Sequence, residues 1–215
     1  MHVVWDWNGT LFDDFGVVNR AVNRSIAAYG AEPIDIDTHR RLFRRPLNAF
    51  YEELLGRPVS DDDMQDIDEK FQAVYWDEYA GADLTDGARH AIERVEVAGG
   101  TQSIASMLWH DVLVSIVTRF DLERFMVALD GHRGPVGETK ETHLAGHVGG
   151  LERLFPVSRG EMVVIGDVVD DAVAASAVGI ECVLYDGGSQ SRERLEATGF
   201  PVVSSLSDAL DIVGM

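Results

Sequence analysis

Four clusters of reactive side chains punctuate the 215-residue chain. Asp6-Trp7-Asn8-Gly9-Thr10 follows the apolar run His2–Trp5, and Ser106 ends the run Gln102–Ser106. Lys140 opens an amphipathic stretch. Gly166-Asp167 follows Met162–Ile165, with Asp170 and Asp171 close behind. Carboxylates, a hydroxyl and an ammonium together suit phosphoryl transfer. An aspartate can attack phosphorus and carry the phosphoryl group covalently. Two carboxylates and a backbone oxygen form a hard oxygen set for Mg²⁺, which offsets repulsion between an anionic nucleophile and an anionic substrate. A lysine and a hydroxyl then hold phosphate oxygens as charge shifts in the transition state.

These residues converge only if the elements bearing them are strands of one sheet. In an open α/β sheet, ligands bind beyond the carboxyl ends of the strands. The pattern predicts strands at His2–Trp5, Gln102–Ser106, Phe125–Leu129, Met162–Ile165, Glu181–Tyr185 and Val202–Val203. It predicts helices at Phe15–Tyr29, Ala88–Ala98, Leu108–Val117, Lys140–Leu154, Asp170–Val178, Ser191–Thr198 and Ser207–Val213. Alternation of this kind implies an α/β fold with a doubly wound, Rossmann-like parallel sheet. From Ile34 to Tyr79 the pattern is wholly helical: Ile34–Phe43, Leu47–Leu55, and a third helix begun at Ser60 with Asp63 as a capping-box variant. This stretch is expected to be an inserted all-helical cap, residues 16–81, with residues 1–15 and 82–215 forming the core. Gly81–Gly87 is expected to be a linker, and Asp130–Thr139 a Gly-rich loop.

Composition narrows the function. Eighteen Lys and Arg against 37 Asp and Glu give a net charge of −19. That balance opposes binding to nucleic acid, whose affinity comes largely from phosphate neutralisation, and docking on anionic lipid. No long apolar run predicts a membrane span. The opening MHVVWDWNGT has none of the segments of a secretory leader, and Cys182 is the single cysteine. A protein of the reduced cytosol is expected, as a monomer or homodimer.

With these residues in place, the chain resembles the haloacid dehalogenase-like hydrolases. Asp6-Trp7-Asn8-Gly9-Thr10-Leu11 is similar to their first motif, DxDGT[LV]. Ser106 resembles the Ser/Thr of the second motif, Lys140 the lysine of the third, and Gly166-Asp167-Val168-Val169-Asp170-Asp171 the GDxxxD of the fourth. A helical insertion between the first two motifs is similar to that of the phosphoglycolate phosphatase and β-phosphoglucomutase-like subgroup. The resemblance implies Asp6 as nucleophile and Mg²⁺ ligand. It implies the Asn8 carbonyl and Asp167 as further ligands, with Asp171 in support. Ser106 and Lys140 would bind phosphate, and Thr10 would position the loop or meet the substrate. It implies a Mg²⁺-dependent phosphohydrolase acting on a small phosphorylated metabolite.

One position departs. Asn8 stands where the family's phosphatases carry a second aspartate, which protonates the leaving oxygen and later activates water. An amide has no titratable proton for this. A substitute acid, a leaving group that needs none, or a phospholigand-binding protein with little turnover are the three readings. Retention of the other motif residues favours an enzyme.

Other features are weaker. Arg45, beside Arg44 and Pro46 in the insertion, is a candidate for a substrate anion. Asp61-Asp62-Asp63 lacks an EF-hand glycine and is better read as a helix start. His143 and His147, four apart, lack the glutamate of a zinc motif. A phosphonate-cleaving enzyme would need a Schiff-base lysine in the insertion, where Lys70 is the candidate. The four tryptophans are expected in the core or at a hinge, with Trp7 beside the nucleophile.

Overall fold

The computed structural model describes residues 1–134 and 138–215. In chain order, β1 (His2–Trp5) leads to a short β2 (Phe12–Asp13), then helices α1 (Phe15–Ala27), α2 (Ile36–Leu42), α3 (Leu47–Leu55) and α4 (Asp61–Tyr79). A short β3 (Asp83–Leu84) precedes α5 (Ala88–Val97), β4 (Thr101–Trp109), α6 (His110–Arg119) and β5 (Ala128–His132). Then come α7 (Lys140–Leu154), β6 (Met162–Gly166), α8 (Val169–Val178), β7 (Glu181–Tyr185), α9 (Arg192–Glu196), β8 (Val202–Val203) and α10 (Leu206–Ile212).

Six strands form one parallel sheet in the order β5-β4-β1-β6-β7-β8. β1 and β6 are the central pair, and every residue of both is buried. Such strands must be apolar on both faces, because helices cover both. Val3 and Trp5 pack on one side with Ile104 and Val163, above α5, α6 and α10. Val4 and Val164 face the other side, against Leu144 and Val148 of α7 and Ala172 and Ala175 of α8. Helices α1 to α4 enclose a third core around Val22, Ile26, Phe50, Tyr51 and Ile67. α4 starts as expected: Asp63 N–H donates to Ser60 Oγ, and Ser60 N–H donates to Asp63 Oδ2, both at 3.1 Å.

Several local expectations give way. The supposed linker Gly81–Gly87 contains β3, which pairs antiparallel with β2 on either side of helices α1 to α4. Two residues are too short a run for periodicity to reveal. The strand expected at Phe125–Leu129 begins only at Ala128, and Glu123–Phe125 form a 3₁₀ turn instead. β4 runs on past Ser106 to Trp109, so α6 starts two residues later than expected. Asp130, Gly131 and His132 of the expected Gly-rich loop belong to β5, while Pro135–Gly137 lie outside the described residues. Trp76 and Trp109 are 40% and 48% exposed and are not core residues. Among the described residues no helix is long and apolar enough to cross a membrane.

His2 sets a pH dependence. Its ring is buried on β1 between Thr101 Oγ1 at 2.8 Å and Ser103 Oγ at 2.9 Å. Burial first, then repulsion from His147 and the N-terminal amine, lowers its pKa from 6.5 to about 4. The unfolded chain therefore binds a proton below pH 6.5 that the folded chain refuses. Its contribution is intact above pH 6.5 and declines toward pH 4, by up to about 3 kcal/mol. Asp6 and Asp167, both pushed upward, act in the opposite direction over part of this window. The difference between wild type and His2→Gln isolates the histidine. In urea unfolding at pH 7 and pH 4.5, the wild type is expected to lose more stability than the variant.

Candidate active site

Asp6 and Asp167 come together because their strands are neighbours in register. Trp5 pairs with Ile165, and Asp6 N–H donates to the Ile165 carbonyl at 2.9 Å. Asp171 arrives from the first turn of α8. Its Oδ2 accepts the N–H groups of Asp167 and Val168, at 3.2 and 3.1 Å, and so fixes the start of that helix. Carboxylate oxygens of Asp6, Asp167 and Asp171 lie within 4.8 Å of one another, and all three residues are buried. Lys140 stands at the first position of α7, whose start is set by Thr142 N–H donating to Thr139 Oγ1 at 3.3 Å. Its Nζ lies 3.1 Å from Asp6 Oδ2 and 2.6 Å from Asp171 Oδ1.

Three buried carboxylates against one ammonium leave excess negative charge. Burial pushes the Asp6 pKa upward; Lys140 opposes this, and Asp171 and Asp167 add to it. Asp167 is raised by burial and then by Asp171. Burial alone would lower Lys140, but Asp171 and Asp6 outweigh it, raise its pKa and keep it charged. An all-oxygen, over-anionic cluster of this kind fits a small hard dication such as Mg²⁺.

The surroundings leave space for such a cluster. A side chain at Gly9 or Gly188 would collide with the Asp167 carboxylate, and one at Gly166 would collide with Asp171. Gly9 also has φ +73°, which a side chain disfavours. Gly9→Ala is therefore expected to cost about 1–3 kcal/mol of stability. It should also displace Asp167, so that added Mg²⁺ raises the thermal midpoint less than in wild type.

Thr10 directs its hydroxyl to Asp167, Oγ1 donating to Oδ1 at 3.3 Å. Ser106 is buried, and its Oγ accepts from Leu108 N–H at 3.2 Å. Among the described residues that hydroxyl makes no hydrogen bond to the carboxylate cluster. Arg45 reaches across from the helical insertion, its Nε 2.8 Å from Asp170 Oδ2. Arg44 is occupied with Glu53. Lys70 pairs with Asp66 on its own helix, away from the cluster. Trp7 is fully buried, stacks on Phe12 and donates to Tyr79 Oη at 3.2 Å, so its ring packs into the core.

Asn8 has a dedicated partner that the sequence pattern does not single out. Its Nδ2 donates to Asp14 Oδ2 at 2.7 Å and lies 3.0 Å from Tyr75 Oη. Tyr75 Oη donates to the same Asp14 oxygen at 2.7 Å, and Gly9 N–H donates to Asp14 Oδ1 at 3.0 Å. Asp14 is the N-cap residue of α1, but its side chain caps nothing on that helix. Burial raises its pKa, partly offset by Tyr75, Asn8 and Gly9.

Two further residues escape sequence reasoning. Ser189 N–H donates to Asp167 Oδ2 at 2.7 Å from the loop after β7. Arg40 of α2 braces that loop, donating to the carbonyls of Gly188 at 2.8 Å and Gly187 at 2.5 Å. Neither belongs to a motif, and an arginine among five in residues 40–57 carries no signal of its own.

The two histidines of α7 serve Asp130. His143 Nε2 meets its carbonyl at 3.1 Å, and His147 Nδ1 meets its Oδ2 at 3.3 Å. His147 Nε2 also lies 2.8 Å from Ser103 Oγ. The resulting Ser–His–Asp chain resembles a hydrolytic triad in its order. Ser103 is fully buried, however, and its hydroxyl is shared with His2, so the chain is a structural network without access for a substrate.

The acidic cluster and Lys140 lie at the carboxyl ends of the strands of a parallel sheet, where open α/β sheets bind ligands. Residues 135–209 match a family model described as HAD-hydrolase-like. A comparison with curated proteins finds no match. Among solved structures, a haloacid dehalogenase-like hydrolase family protein from Streptococcus pneumoniae is 15% identical with a TM-score of 0.81, over 99% of this chain and 97% of that one. A predicted phosphatase from Clostridium acetobutylicum is 17% identical with a TM-score of 0.80, over 99% and 97%. A predicted phosphoglycolate phosphatase from Haemophilus somnus is 14% identical with a TM-score of 0.73, over 98% and 96%. The family match and the shared fold bear out the resemblance to the haloacid dehalogenase-like hydrolases.

Proposed function

We propose that the chain is a Mg²⁺-dependent phosphohydrolase of small phosphorylated metabolites, working through an aspartyl phosphate on Asp6. The observation that carries this reading is the position of Lys140 Nζ between Asp6 and Asp171, inside a buried three-carboxylate cluster. Asp6, Asp167 and Asp171, with the Asn8 carbonyl, would hold the ion. Bound Mg²⁺ would neutralise negative charge on the transferring phosphoryl group.

The chain's own residues account for the rest. An Asp6 carboxylate oxygen forms a bond to phosphorus as the ester oxygen departs with its electron pair. Lys140 pairs with phosphate oxygens as that charge develops. Ser106 stands two residues beyond Ile104, the β4 partner of Trp5, and Asp6 follows Trp5 directly. Thr10 and Ser189 N–H hold Asp167 in one orientation. Helices α1 to α4 act as a cap, with Arg45 and Arg40 linking it to the core, and closure would exclude water. Water then attacks the phosphorus of the aspartyl phosphate, the P–O bond to Asp6 breaks to regenerate its carboxylate, and the water's proton leaves with inorganic phosphate.

The Asn8–Asp14 pair limits this chemistry. Asn8 offers no proton to the departing oxygen, so substrates whose leaving groups are stable anions are favoured. Phosphate release from acetyl phosphate and p-nitrophenyl phosphate is the test, with Mg²⁺ and with EDTA. Turnover that needs Mg²⁺ is expected, faster for these than for alkyl phosphates. Tight binding of phosphorylated compounds without turnover of any would favour a phospholigand-binding protein.

A further inference from the structure

The loop after β7, residues 186–190, is held between the helical insertion and the carboxylate cluster. Toward the cluster, Ser189 N–H donates to Asp167 Oδ2 and Gln190 Oε1 accepts from Val169 N–H, both at 2.7 Å. Gly188 lies so close that a Cβ there would stand 2.2 Å from Asp167 Oδ2 and 2.5 Å from the Gly9 carbonyl oxygen. Toward the insertion, Arg40 of α2 donates from Nε to the Gly188 carbonyl at 2.8 Å and from Nη2 to the Gly187 carbonyl at 2.5 Å. Ser191 N–H donates back to the Arg40 carbonyl at 3.1 Å. Among the described residues, Arg40 is the only donor to the two glycine carbonyls. Two adjacent glycines are the least restricted backbone a chain can have, so the brace decides the conformation of the loop.

One peptide group joins Arg40 to the cluster. The Gly188 carbonyl that accepts from Arg40 and the Ser189 N–H that donates to Asp167 belong to the same planar unit. That peptide is trans, so its C=O and N–H point in opposite directions. A guanidinium on the oxygen polarises the group and strengthens the N–H as a donor to the carboxylate. The plane cannot turn without breaking both bonds.

Arg40 is placed for this task and no other. It is half-buried, with its guanidinium carbon 5.2 Å from the centre of the Phe15 ring. Among the described residues it pairs with no carboxylate, in a chain with 37 acidic residues. The other arginine that reaches the core from the insertion, Arg45, is 61% exposed in its pair with Asp170. Exposed ion pairs of that kind contribute little.

We propose that Arg40 is a positioning residue for the metal site, which makes Mg²⁺ binding and docking of the helical insertion depend on each other. With α2 seated on the loop, the Gly188–Ser189 peptide is fixed and Asp167 is held for the ion. With α2 lifted, the glycines are free to turn and Asp167 loses its backbone donor. Linkage requires the converse: the ion must strengthen the Arg40 contact. The proposal rests on the reading of the cluster as a Mg²⁺ site; the hydrogen-bonded chain from Arg40 to Asp167 does not.

The test uses the full chain and Mg²⁺ alone, titrated by calorimetry well below the unfolding temperature. Arg40→Met keeps the stem over Phe15 and removes the donors. It is expected to bind Mg²⁺ at least about tenfold more weakly than wild type, the usual cost of losing a residue that orients a metal ligand. Arg40→Lys, which retains a donor, should fall between the two. Arg20→Gln breaks an ion pair to Glu78 within the insertion and should bind as wild type does. Amide hydrogen exchange without metal is expected to quicken at Ser189 in Arg40→Met and to stay unchanged at Val4 and Val164 of the central strands. In wild type, Mg²⁺ should slow exchange of the Arg40 Nε–H. Mg²⁺ affinity in Arg40→Met within about twofold of wild type overturns the proposal, as does equal weakening in Arg20→Gln or lost protection at Val4 and Val164. A wild type that binds no Mg²⁺ overturns the metal reading of the cluster, and this proposal with it.

Discussion

Asp6→Ala and Asp6→Asn are expected to lower phosphate release by about 10⁴-fold or more, because a nucleophile that forms the covalent intermediate has no substitute. The amide variant separates chemistry from folding. Asp6 is one of three carboxylates packed into a buried cluster, and burial together with Asp171 and Asp167 disfavours its charge. Asparagine removes a charge that burial and the two neighbouring carboxylates oppose. Lys140 keeps Asp171 as its partner at 2.6 Å, so it is not left as an unpaired buried charge. Asp6→Asn should therefore unfold at a higher temperature than wild type in EDTA while releasing almost no phosphate. The two measurements are a thermal scan and a phosphate assay on the same sample. Activity above about a hundredth of wild type would remove Asp6 from the nucleophile's role.

The parts of this fold that sequence reveals are those where one requirement dominates. β6 is a continuous apolar run because both its faces are covered, and it reads as a central parallel strand. α7 begins at Lys140 and α3 spans Leu47–Leu55 because local caps and periodicity agree with packing there. β3 is hidden because two residues carry no period, and its partner β2 lies on the far side of helices α1 to α4 in the chain. Trp76 and Trp109 mislead because aromatic type predicts burial only on average. At the site, strand ends announce Asp6 and Asp167. Asp14 and Arg40 matter through partners distant in sequence: Tyr75 for the first, the Gly187–Gly188 carbonyls for the second. No local pattern encodes such contacts.

The Asn8–Asp14 pair yields the second large effect. A single Asn8→Asp change places two carboxylates at a hydrogen-bonding distance, since Asn8 Nδ2 now stands 2.7 Å from Asp14 Oδ2. Like charges that close cannot both ionise, so the pair must share a proton or separate. The single variant should lose stability at neutral pH. The exchange Asn8→Asp with Asp14→Asn avoids this, because every bond of the site survives. The amide at position 14 accepts from Gly9 N–H as Asp14 does and donates to the new carboxylate across the same gap. Tyr75 Oη, 3.0 Å from the Asn8 nitrogen, turns its proton to that carboxylate. The exchange moves one ionisable group from α1 to the loop that bears Asp6 and changes neither size nor total charge. Proton transfer by a positioned side chain is typically worth about 10²–10⁴-fold. Hydrolysis of an alkyl phosphate should rise by about that factor in the double variant, while hydrolysis of acetyl phosphate, whose leaving group needs no proton, should change little. A rise for both substrates alike would point to altered Mg²⁺ binding. No rise for either would mean that the wild type already has a proton donor, and Asp14, one hydrogen bond behind Asn8, is where it would lie.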